Sequence, residues 1–103
     1  NSQCTLKSLS VRQSATGVKV QGKSEWSVSI TNTCQCAQRS VYLNSTGFQT
    51  IEPINPSVLT VSPNGICILN GGQPIIYNSA IKFKYAWDHS FVFIPISSLI
   101  DCS

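Results

Sequence analysis

The stretch Ile81-Lys82-Phe83-Lys84-Tyr85-Ala86-Trp87 alternates without a break. Successive side chains of a strand point to opposite faces, so Ile81, Phe83, Tyr85 and Trp87 share one side and Lys82, Lys84 and Ala86 the other. The pattern predicts an antiparallel strand with one buried and one wetter face. Residues 25–32 repeat it, with Trp26, Val28 and Ile30 set against Ser27, Ser29 and Thr31. Weaker strands are expected over residues 6–13, 17–21, 39–43, 58–61, 66–69 and 91–96. The first breaks its own alternation at Leu6, Leu9 and Val11, which predicts a bulge. The last is apolar on both faces, so it is either central or an edge strand ending against Pro95.

Turn chemistry separates these runs. Ser62-Pro63-Asn64-Gly65 combines a preset φ with residues that tolerate positive φ, and Asn70-Gly71-Gly72-Gln73-Pro74 is a second such turn. No window keeps a helical period. About eight short strands at this spacing predict an all-β fold, an antiparallel β-sandwich or a partly closed barrel. Residues 47–55 hold Pro53, precede Pro56 and are expected as a long loop.

A chain of 103 residues is one domain over 1–103. Only 11% of residues are charged, and the net charge of +3 comes from seven basic residues with no run among them. That distribution carries no nucleic-acid footprint. No apolar stretch reaches the roughly 20 residues needed to span a membrane, so no membrane insertion is expected. Asn1 opens onto polar residues, as expected of a mature form whose leader has been removed.

Five cysteines, Cys4, Cys34, Cys36, Cys67 and Cys102, are spread along the chain as staples rather than clustered for a metal. With one histidine and no CxxC pair, neither zinc nor any other cofactor is expected. Five cysteines form at most two bridges. Cys34 and Cys36 are too close in sequence to pair comfortably, and the remaining pairings stay open. The odd thiol has three fates: a buried inert residue, a bridge to a second copy in a homodimer, or a reactive group.

The chemistry available is thin. Asp88, His89 and Ser90 are adjacent, and adjacent residues cannot converge as a triad, so a turn is expected there. The four acids, Glu25, Glu52, Asp88 and Asp101, show no pattern that brings two of them together across a cleft. No enzyme is expected. The stripe Phe83, Tyr85, Trp87 is expected as core, with Trp87 its exposed end; the alternative is a sugar-stacking platform of Trp87 and Tyr85. Lys82 and Lys84, together with Phe48 and Gln49 on the long loop, are the candidate partner contacts.

The run Cys67-Ile68-Leu69-Asn70-Gly71-Gly72-Gln73-Pro74-Ile75, followed by Phe83-Lys84-Tyr85-Ala86 and the closing Cys102, resembles the plant-secreted tapetum-determinant-1-like family. Asn32-Thr33-Cys34-Gln35-Cys36, Val41-Tyr42-Leu43 and Gly47-Phe48-Gln49 fit the same pattern, and the likeness covers roughly residues 4–103. The resemblance implies a secreted, extracellular (apoplastic) protein whose partner is a cell-surface receptor ectodomain, as for a protein ligand of a leucine-rich-repeat receptor kinase. A cell-wall polysaccharide-binding or defence role through exposed aromatics is the alternative. The departure is Ser45, where the family pattern carries a sixth cysteine. Its replacement creates Asn44-Ser45-Thr46, a glycosylation sequon at Asn44.

Overall fold

The computed structural model describes residues 4–102. Seven strands form two antiparallel sheets: β1 (Leu9–Val20), β2 (Lys23–Asn32), β3 (Ala37–Asn44), β4 (Leu59–Val61), β5 (Ile66–Leu69), β6 (Ala80–Trp87) and β7 (Ile94–Asp101). One sheet has the order β1-β2-β6 and the other β4-β5-β3-β7; they face each other as a sandwich and do not close into a barrel.

The two best-patterned segments are neighbours. Trp26 stands opposite Tyr85, Val28 opposite Phe83 and Ile30 opposite Ile81. Both apolar stripes therefore face inward together, where Val28, Ile30 and Tyr85 are fully buried. Val41, Leu43, Cys67 and Leu69 meet them from the second sheet. Phe48, Phe83, Tyr85, Phe91 and Phe93 fill the space between, with Phe48 edge-on to Tyr85 and Phe91 at centroid distances of 5.2 Å each. Each such pair contributes about 0.5–1.5 kcal/mol beyond its buried area.

Several expected elements come out differently. Residues 6–13 and 17–21 are not two strands. Leu6–Ser8 is a 3-10 turn capped by Thr5, and β1 then runs on unbroken as one long strand. The break in alternation at Leu6 is thus a helical turn, and the irregularity lies later, between Ala15 and Lys19. Gln21 and Gly22, both at positive φ (50° and 83°), close the β1–β2 hairpin as a two-residue primed turn.

The run over 91–96 is no strand at its start. Phe91 N–H donates to the Tyr85 hydroxyl (2.8 Å) and its carbonyl accepts from Gln13 Nε2 (2.8 Å), so side chains take the place of a ladder. Phe91 and Phe93 fall inward as the chain crosses between sheets, and β7 begins only at Ile94. It is an edge strand, with Pro95 inside it beside a register irregularity.

The β4–β5 turn forms as read, closed by Gly65 N–H to Ser62 O at 3.0 Å. Gly65 has φ +85°, and a Cβ there would stand 3.0 Å from the Thr46 backbone, so only glycine fits.

Two disulfides tie the ends down, Cys4–Cys34 and Cys36–Cys102, separated by 30 and 66 residues. Restricting loops of that length in the unfolded chain contributes about 3–4 kcal/mol each in the chain-entropy account. Cys67 is the odd thiol. It is fully buried, which closes off a bridge to a second copy, and burial pushes its pKa up to about 11.

Between the bridges sits a buried polar hub. Asn32, with no exposed surface, donates to Cys36 O (2.9 Å) and Ile75 O (2.8 Å) and accepts from Cys34 N–H (2.9 Å) and Gln38 Nε2 (3.1 Å). It satisfies the backbone of the Cys34–Cys36 turn from inside.

Candidate functional site

Residues 45–58 leave the second sheet, touch the first and return. Near its middle the segment is pinned to the edge of β6: Ile51 N–H donates to Ala86 O (3.0 Å), and Ala86 N–H donates to Thr50 Oγ1 (3.0 Å). Asn55 then gathers the chain into β4, its carbonyl accepting from Val58 N–H and Leu59 N–H at 2.9 and 3.1 Å. Phe48 anchors the near end in the aromatic core.

The segment stands away from β4 and leaves a groove. Two cavities of about 400 and 450 Å³ adjoin, with Phe48, Gln49 and Val61 as common walls. Phe48, Ile54, Leu59 and Val61 give it an apolar floor, and Gln49, Thr50, Thr60 and Ser62 a polar rim. No ionisable side chain lines it. Phe48 and Gln49 thus share this feature in different ways: Gln49 is an exposed wall, while Phe48 is half-buried and belongs as much to the core.

Lys82 and Lys84 are exposed on the outer face of the first sheet, opposite Ser29 and Ser27, and do not line the groove. Lys84 lies beside an arrangement that sequence reasoning missed. Glu25 on β2 and Glu52 on the long loop come within hydrogen-bonding reach of each other. Glu25 is 7% exposed and accepts from the Thr16 hydroxyl at 2.8 Å. That bond, the contact with Glu52 and the Lys84 charge hold its carboxyl below the usual range. Glu52 goes the other way, raised by burial and then by the hydrogen bond and negative charge of Glu25. One of its oxygens, Oε1, is buried with no donor. Of the two, Glu52 therefore gives up its proton at the higher pH. Glycosidase carboxyls stand about 5 Å or more apart across a cleft, an arrangement unlike two carboxyls within hydrogen-bonding reach, and neither Glu25 nor Glu52 lines the groove.

The remaining candidates fall as follows. Tyr85 is fully buried and cannot serve as a sugar platform. Trp87 is half-buried, with Lys23 Nζ 5.2 Å from its ring centroid, which covers part of its surface. Asp88 pairs with Lys23 at 2.8 Å, the His89 ring lies tilted against Phe91 and approaches Ser90 O, and the three adjacent residues make the bend that follows β6. The sulfurs of Cys4, Cys34 and Cys36 lie within 4.8 Å of one another, but all three are oxidised in disulfides and offer no thiolate to a metal. Asn44 ends β3 on the outer face, half-exposed, with its Oδ1 accepting from the Thr46 hydroxyl at 3.2 Å. No helix among the described residues is long and apolar enough to cross a membrane.

Fold and site together define a small β-sandwich domain, stapled by two disulfides, with an uncharged surface groove. The family model described as tapetum determinant 1, C-terminal, matches residues 5–103, and the chain belongs to that family. Comparison with curated proteins and with solved structures gives no match.

Proposed function

We propose that this domain is a secreted plant signalling protein that works by binding a cell-surface receptor ectodomain, without turnover. The observation that carries this reading is the groove between the long loop and β4. It is concave, anchored in the core through Phe48, and lined by no group able to donate or take a proton at neutral pH. Family membership points the same way. Lys82 and Lys84 add a positive face that steers an acidic surface towards the domain, and Asn44 is the site for a glycan, on the outer face of the second sheet away from the core.

A panel of plant leucine-rich-repeat receptor-kinase ectodomains, immobilised and probed with the purified domain, tests the reading. One or a few members should bind at micromolar or tighter affinity. The double substitution of Lys82 and Lys84 by Glu should slow association about tenfold at low salt and lose that effect at high salt. Binding to none of the panel, together with retention on cell-wall glycans that survives high salt, contradicts it.

A further inference from the structure

The groove has a property beyond its shape. β4 is an edge strand, paired only with β5. Asn70 N–H bonds Val58 O at 2.8 Å, and Ser62 N–H bonds Ile66 O at 2.9 Å. In an antiparallel ladder the hydrogen-bonded residues alternate, so Val58, Thr60 and Ser62 turn their backbone towards β5. Leu59 and Val61 must turn theirs away. The β5–β3 ladder agrees: Ser45 N–H bonds Gly65 O, which places the Leu43–Cys67 pair in hydrogen-bonding register and spends the Cys67 backbone on β3.

Leu59 N–H is taken by Asn55 O. Leu59 C=O, Val61 N–H and Val61 C=O have no partner among the described residues and face the groove that Val61 and Leu59 line. Backbone donors and acceptors at this spacing match those of one more extended chain. The far edge of the same sheet is different: β7 is blunted by Pro95 and irregular register.

We propose that the groove takes an extended, uncharged peptide segment of the partner, which adds to the sheet alongside β4. This rests on the binding function proposed above and names the chemistry of the contact. The segment donates one N–H to Leu59 C=O and exchanges a pair of bonds with Val61. Alternate side chains then drop onto Phe48, Ile54 and Leu59, or face solvent along Gln49. A charged side chain is excluded, because the floor holds no counter-ion to meet it.

The probe is a displayed library of random linear eight-residue peptides, selected on the intact disulfide-bonded domain, with the winners synthesised and titrated by amide NMR. The selected peptides should be uncharged with apolar residues at alternate positions, and should shift the Val61 amide most strongly. Val61→Pro removes an N–H that no internal bond uses and is compatible with an edge position. It should weaken binding at least tenfold while thermal stability stays within a few degrees. Gln49→Arg, on the opposite wall and outside the ladder, should weaken the same peptides if Val61→Pro proves unstable. Selection of no peptide, winners that shift amides elsewhere, or unchanged affinity in a folded Val61→Pro or Gln49→Arg protein overturns the proposal. Receptor ectodomain binding that persists in folded Val61→Pro sinks strand addition alone. Loss of receptor binding only on Lys82 and Lys84 reversal places the contact on the other face.

Discussion

Replacing Asn32 by Ala should be among the most damaging single changes in this domain. The substitution strips four hydrogen bonds at once: Cys34 N–H, Gln38 Nε2 and Cys36 O lose their Asn32 partner, while Ile75 O keeps only the Gln38 N–H at 3.0 Å. A buried group left unsatisfied costs about 1–3 kcal/mol, and such costs add incompletely when a water can enter the space vacated. A total of about 3–5 kcal/mol follows, set against the roughly 5–15 kcal/mol that a domain possesses. At about 4–8 °C per kcal/mol for a chain of this size, the midpoint falls on the order of 15–30 °C. Chemical denaturation with both disulfides intact measures it. Asn32→Asp refines the test. It keeps the acceptor oxygen but sets a second oxygen against the carbonyls of Cys36 and Ile75, so it should be worst at neutral pH and recover as the new carboxyl is protonated. A loss below about 1 kcal/mol in Asn32→Ala, or no pH dependence in Asn32→Asp, refutes the hub's role.

Further predictions concern the acids and the thiols. Glu52 has its folded pKa raised, so its contribution is complete below the unfolded value near 4.5 and is lost as pH rises through the folded one; Glu25, lowered, contributes above the unfolded value and loses that as pH falls. Because the two carboxyls interact, thermal stability should decline as pH climbs above about 4.5, and Glu52→Gln, which donates permanently, should remove that decline; an identical pH profile in the variant contradicts the raised Glu52. Ser45, one residue past the end of β3, and Cys67 on the neighbouring β5 are both buried, and Ser45 Oγ has no partner, so Ser45→Cys should close a third bridge and raise stability by about 3 kcal/mol. Mass measurement after alkylation without reduction should show no free thiol in that variant, and two would refute it. In the unaltered chain Cys67 should resist a thiol reagent until denaturant is added, and then a single thiol should react; rapid reaction in the native state contradicts its burial.

The strands that carry strict alternation are legible from the residue pattern alone, because a sheet face in the core and a face in water impose a period of two. β2 and β6 follow from that rule and the Ser62–Gly65 turn from its Pro and Asn-Gly chemistry, while the sandwich is one of two architectures that the strand spacing leaves open. The segment from Phe91 to Phe93 misled because apolar residues report burial, and burial here comes from plugging the gap between sheets rather than from pairing. Asn32, Gln38 and Ser45 look like surface residues in sequence. Asn32 bonds a backbone carbonyl 43 residues away and Gln38 a hydroxyl 60 residues away, which no local pattern encodes. The Glu25–Glu52 contact is similar, since it needs the long loop to fold across β6. Phe48 and Gln49 were found as members of a long loop, but the free edge beside them is a matter of ladder register and appears only with coordinates.

The most direct test is residue-resolved hydrogen exchange of the disulfide-bonded domain, alone and saturated with a receptor ectodomain from the panel. Val61 should exchange freely alone and slow by at least tenfold in the complex, with Gln49 slowing beside it. Unchanged exchange at Val61 in a saturated complex, with protection confined to the face of Lys82 and Lys84, contradicts the account.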